Sequence, residues 1–370
     1  MKPLGLKRVG FATALLIGGL SACHPTSAAD SVDLEAANPV LPIPDPPLGI
    51  GGEKNPPATL LDLEDPPTPE TVRLGRWLFF DKRLSADNTV SCATCHRPEN
   101  AFSEPTPVSQ GIQGQKGGRK APSFTNQAWA TLPHFFWDGR AASLDEQAGG
   151  PMINPIEMGQ KDHDGVVAKI SEIKGYAKYF EESFGSPEVT IERITKAIAD
   201  YERTRMSGNS AWDRYMAGDK SALSEDAQKG RTLFFGNGFC NNCHKGPNLT
   251  DSDFHNLGVG WDAETETFAD EGRYAVTKDE KDKGAFKTPS IRDVSKRAPY
   301  MHDGSMKTLE EVVRFYSKGG TPNPYLDRKI DRRFAEQLDF TDAQVHQLVE
   351  FMKSLDGEGY QDTAPAAFPQ

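Results

Sequence analysis

Apolar positions recur at helical spacing in several stretches. Ile191, Ile194, Ile198 and Tyr201 fall on one face and predict a helix, as do Leu309, Val312 and Tyr316. Thr341 followed by Gln344 opens a further helix that runs through Met352. Ser143 with Glu146, and Thr308 with Glu311, carry the same Ser/Thr-x-x-Glu signal of a capped helix start. Alternating strand patterns are sparse. With 34 glycines and 27 prolines the chain needs long loops between its helices, so the expected fold is mainly α.

The N-terminus has its own pattern. Lys2, Lys7 and Arg8 precede an apolar run from Val9 to Leu20, which is the layout of an export signal and too short to span a membrane. Leu20-Ser-Ala-Cys23 matches a bacterial lipobox, giving a signal over residues 1–22 and a lipid anchor on Cys23. Ordinary cleavage after Ser27-Ala-Ala29 is the alternative. Prolines then crowd residues 30–69; they remove backbone donors and favour extended geometry, so residues 23–59 read as a linker. The formal net charge of -11 gives no reason to expect a nucleic-acid partner.

The rest of the chain repeats itself. Gly75-Arg-Trp-Leu-Phe-Phe80 is echoed by Gly230-Arg-Thr-Leu-Phe-Phe235, and Ala121-Pro-Ser123 by Thr288-Pro-Ser290. Trp137-Asp-Gly139 is echoed by His302-Asp-Gly304, each just before one of the helix-start signals. This predicts a duplicated unit, with domains at 60–215 and 216–360 and a tail over 361–370.

Each expected domain contains one C-x-x-C-H: Cys92-Ala-Thr-Cys95-His96 and Cys240-Asn-Asn-Cys243-His244. The pattern is that of c-type haem attachment. Two thiols at this spacing can form thioethers to one haem edge, and the adjacent imidazole serves as axial ligand. A thioredoxin-like pair, or a zinc site made of two C-x-x-C knuckles, has no need of the histidine. Four of five cysteines are thereby assigned to two covalent haems, and the fifth is Cys23. Such attachment in bacteria needs an exported chain, so the periplasm is the expected compartment.

Taken in order across roughly residues 60–355, these features resemble the bacterial di-haem cytochrome c peroxidase/MauG family. The set comprises both haem motifs, Phe136-Trp-Asp-Gly-Arg140, Glu157-Met-Gly159 and Pro299-Tyr-Met-His-Asp-Gly304. The resemblance implies two c-type cytochrome domains with the haems near their interface. It makes the first haem the peroxide site, with Gln147 and Glu157 over its open face, Glu157 as acid/base and Gln147 as orienting amide. Trp137 becomes the residue between the haems, and Tyr316 stands where peroxidases of the family carry a methionine ligand to the second iron. Peroxidase members also carry a distal histidine in the first-haem loop; here no histidine occurs between Arg97 and Pro133, and Ile112 lies near that place, with His134 as a remote substitute. A calcium ion held by the Asn126 side chain and the carbonyls of Arg297 and Pro299 is implied as well.

A thioether ligand raises haem potential, whereas a phenolate is a hard anionic donor that favours oxidised iron. Tyr316 therefore points to MauG-type activity, in which hydrogen peroxide forms high-valent haem that oxidises a periplasmic protein by long-range electron transfer. The alternative is a cytochrome c peroxidase fed by a small cytochrome or copper protein. Gly238 occupies the position at which the methylamine dehydrogenase maturase carries a surface tryptophan, so that particular partner is not expected.

Overall fold

The computed structural model describes residues 1, 33–51, 56–130, 132, 134–330 and 338–370. Apart from Met1, the export segment 1–22 and Cys23 lie outside the described residues. Among the described residues the fold is mainly helical, with two small antiparallel sheets.

Two helix pairs carry the architecture. Pro69–Phe80 starts on a Thr68–Thr71 capping box with proline at its first position, and it packs against Ile191–Arg203. Ile194, Ile198 and Tyr201, the expected apolar face, are fully buried there with Leu74, Trp77 and Leu78. Glu225–Phe235 packs in the same way against Asp342–Lys353, which begins at the expected Thr341–Gln344 box. Each pair crosses at a glycine. A Cβ on Gly75 would lie 1.8 Å from the Ala197 carbonyl oxygen, and one on Gly230 would lie 1.9 Å from that of Gln347. One hydrophobic cluster surrounds the first pair and a second surrounds the other.

Three local expectations change. Ser143 caps Leu144–Ile153, but Glu146 turns back to the Ala142 N–H, so the box is offset by one residue. The Pro-rich linker does not stand off from the body over its described residues, 33–51 and 56–59. Asn38 donates to the Arg73 carbonyl, Leu48 accepts from Asn209 N–H, and Ile50 is buried with Leu60, Trp129 and Met206. Proline removes donors but leaves carbonyl acceptors, and the interspersed apolar side chains find the body. The 361–370 tail likewise crosses onto the first helix pair. Asp362 pairs with Arg76 and Arg205 and accepts from the Tyr201 hydroxyl, while Trp77 donates to the Ala367 carbonyl.

Because both crossings depend on a missing side chain, Gly75→Ala and Gly230→Ala should each cost about 1–3 kcal/mol by overpacking. Gly118→Ala, where a Cβ meets nothing within 4 Å, should be nearly neutral. Chemical denaturation of the three variants checks this.

Candidate active site: two cavities and their common wall

Each C-x-x-C-H borders a cavity. Cys92 and Cys95 lie in the short helix Cys92–Cys95 opened by Ser91, and His96 terminates it. Cys240 begins a single 3-10 turn, Cys240–Asn242, that delivers Cys243 and His244. The cavity beside His96 measures about 190 Å³ and that beside His244 about 210 Å³. A single water needs roughly 10–15 Å³ on this measure, so neither is a packing defect.

Both histidines are prepared for iron in the same way. His96 Nδ1 lies 2.9 Å from the Phe102 carbonyl oxygen, and His244 Nδ1 lies 3.1 Å from that of Leu249. A carbonyl partner fixes Nδ1 as the protonated nitrogen and leaves Nε2 as the donor to metal, the usual outer support of a ligating imidazole. Burial pushes the pKa of both rings down, which keeps them neutral. With paired thiols and apolar walls, the two sites fit c-type haem: Cys92, Cys95 and His96 would hold one group, and Cys240, Cys243 and His244 the other.

The first cavity brings together the residues expected from far apart in the chain. Gln147 and Glu157 both line it, as does Arg140. Burial raises the Glu157 pKa, and the nearby Arg140 guanidinium offsets part of the rise. Arg140 is stacked 3.5 Å over Phe136 and tied to Asp138. Ile112 braces the acid from behind, its N–H donating to the Glu157 carbonyl at 2.9 Å. His134 does not line the cavity; its ring packs against Phe254. Glu202, which the sequence reading missed, is buried in the same wall with Oε2 unpartnered, and burial pushes its pKa up to about 8.

Tyr316 lines the second cavity from helix Leu309–Ser317. Burial raises its phenol pKa, and Cys243 and Cys240 add to the rise, so a cation is needed before it ionises. Met301 and Met352 line this cavity too, as do Gly238 and Phe239.

Trp137, Lys287, Thr288 and Pro289 line both cavities and form their common wall. The Trp137 indole N–H donates to the Lys120 carbonyl at 2.8 Å, and its own carbonyl accepts from the Lys287 N–H at 2.8 Å. Lys120 N–H donates in turn to the His302 carbonyl at 2.7 Å. Asn126 is fully buried, with its side-chain amide bonded in both directions to the Ser207 backbone and its carbonyl accepting from Asn248 of the first cavity wall. Arg297 and Pro299 flank Ala298, and the Ala298–Pro299 bond is cis.

The fold and cavities define an oxidoreductase of haem-peroxidase type. Residues 69–221 match the family model described as di-haem cytochrome c peroxidase, and the chain belongs to that family. It is 38% identical to the methylamine utilization protein MauG of Methylorubrum extorquens, over 81% of this chain and 82% of that one. It is 36% identical to the cytochrome c551 peroxidase of Nitrosomonas europaea, over 82% and 85% of the two chains. A solved structure of a MauG-like protein associated with microbial copper homeostasis superposes with a TM-score of 0.72 at 31% identity, covering 89% of this chain and 98% of that one.

One clamp on the second cavity has a definite pH signature. His255 faces Asp327 Oδ2 at 2.5 Å from Nδ1 and Asp251 Oδ2 at 3.2 Å from Nε2. Burial opposes its charge, but the two carboxylates, with Cys243 adding to them, outweigh it and raise its pKa to about 11. A raised pKa means the clamp's stabilisation is complete below the unfolded value of about 6.5 and is lost as pH climbs through about 11. His255→Gln should therefore cost about 3 kcal/mol near pH 6. Denaturation curves should show that deficit shrinking steadily towards pH 11.

Proposed function

We propose that this protein uses hydrogen peroxide to oxidise a partner protein in the periplasm, in the manner of a MauG-type enzyme, with two covalent haems as cofactors. The observation that carries the reading is Tyr316 on the wall of the second cavity, close to Cys240 and Cys243. His244 and Tyr316, which line the same cavity, would hold the second iron, and His96 would hold the first. When bound, haem supplies the redox-active iron that draws oxidising equivalents from peroxide.

The residues then divide the work by their chemistry. Reducing peroxide to two waters takes two protons and two electrons. Glu157, with its pKa raised by burial, takes a proton from one peroxide oxygen at its carboxylate and returns it to the other. The Gln147 amide orients peroxide by hydrogen bonding. Arg140 limits how far burial raises the Glu157 pKa. Trp137, on the wall common to both cavities, carries electrons between them. The duplicated organisation is part of the same proposal, supported by the matching glycine crossings and the matching histidine–carbonyl bonds.

Calcium is proposed at the junction, held by Asn126 Oδ1 and the carbonyls of Arg297 and Pro299. Buried oxygens without a partner, Gln127 Oε1 and Ser207 Oγ, lie next to Asn126 in the chain or bonded to it through Ser207, and suit the water shell of such an ion. Export and a lipid anchor at Cys23 complete the reading.

A cytochrome c peroxidase is the second reading, favoured by the thioethers of Met301 and Met352 on the same wall as Tyr316. Stoichiometric peroxide added to the fully oxidised protein separates the two. Loss of both ferric EPR signals without prior reduction supports the MauG type; reactivity only after one haem is reduced favours the peroxidase. Tyr316→Phe should abolish reactivity of the oxidised protein if the tyrosine is a ligand. Glu157→Gln should slow the peroxide reaction by about 10²–10⁴-fold in stopped-flow measurements.

A further inference from the structure

The common wall contains a cation that the peroxide chemistry does not use. Lys287 lies on strand Ala285–Lys287, and its ammonium donates to the His134 carbonyl at 2.7 Å. An ammonium has three donors. Among the described residues no carboxylate pairs with it. Burial, Arg273 and Lys287 all lower the His134 pKa, and Asp253, which makes no ion pair with Lys287, opposes them. Burial alone pushes the Lys287 pKa down to about 8, as expected for a dehydrated ammonium whose partners, the His134 carbonyl and the Phe135 ring 5.5 Å away, carry no charge. A cation taken out of water without an anion is costly unless a ligand brings one.

Its position identifies the anion. Lys287 is the only cationic side chain on the walls of both cavities among the described residues. It stands next to Trp137, bonded to it through the backbone. The carboxylates available in both cavities at once are those of the two haems. We infer that Lys287 is a shared counter-cation, donating one hydrogen bond to a propionate of each haem and holding the two groups against the Trp137 wall. The inference rests on the di-haem reading and adds to it a residue that positions both cofactors.

Lys120 provides an internal comparison. It precedes Ala121-Pro-Ser123 as Lys287 precedes Thr288-Pro-Ser290, and burial likewise pushes its pKa down to about 8. Yet it lines only the first cavity, and its ammonium is already bonded to the Glu104 and Thr106 carbonyls. It lacks the shared position.

A cation near haem favours the reduced iron, so its removal lowers the midpoint potential. Spectroelectrochemistry of the holoprotein, with EPR to tell the haems apart, should show both reduction equilibria falling at least fivefold in Lys287→Gln, about 40 mV at 59 mV per tenfold. Lys287→Arg should restore both to within twofold, and Lys120→Gln should move the first-cavity haem alone. A pyridine haemochrome count of two haems per chain establishes the underlying reading separately. With two haems present, unchanged potentials in Lys287→Gln, or a shift confined to one haem, would overturn the inference. If that variant does not fold, resonance Raman of the wild type decides. Propionate bending bands of both haems that shift in deuterated water support the lysine bond; bands from only one haem that respond, or none, refute it.

Discussion

Trp137 is held by two bonds to the segments that flank it, and much of the structure depends on that attachment. Its indole N–H is bonded to the Lys120 carbonyl and its carbonyl to the Lys287 N–H, while Lys120 N–H reaches the His302 carbonyl. Segments that line the first and second cavities are thereby tied together at one wall. A buried backbone group left unpaired is costly, so the wall resists sliding of either side against the other. Both cavities open from this wall, and any change in its geometry is felt in both.

The periphery reinforces the same junction. Ile50 and Leu60 from the Pro-rich segment are buried against Trp129 and Met206, and Arg292 reaches both Asp213 and the Gly49 carbonyl. From the other end of the chain, Tyr360 is buried in the first cluster and Asp362 gathers Arg76, Arg205 and Tyr201. Ordering these segments costs conformational entropy of roughly 1–2 kcal/mol per residue, which only burial and multiple bonds offset. Both termini of the described body thus act as straps across its helix pairs.

The electrostatics of the two cavities differ in kind. The first collects carboxylates whose pKa values are raised by burial, Glu157 and Glu202, beside a tethered arginine. The second holds a charged His255 between two carboxylates at its edge and a neutral tyrosine within. That contrast follows from side chains, since the histidine support is the same in both.

Local pattern alone determined the helices from Ile191, Thr308 and Thr341, because capping and 3.6-residue periodicity act within a few residues. The haem motifs were legible for the same reason: both thiols and the imidazole sit on one short turn. Gln147, Glu157 and Tyr316 needed family spacing to be named, and each lines the cavity expected for it. Arg140 stood inside the Phe136-Trp-Asp-Gly-Arg140 motif without a role, whereas Glu202 and Lys287 were not legible as site residues, because little in their neighbours along the chain marks them; the repeated Lys-x-Pro-Ser was the one available signal for Lys287. The contacts of the linker and tail were not legible for a related reason. Proline and polar composition describe a segment's own preferences, while its partners, Arg73, Asn209 and Arg76, are distant in sequence. Sequence settled the elements and the covalent chemistry. Only tertiary packing decided which charges lost water, which straps closed, and which four residues came to divide the two cavities.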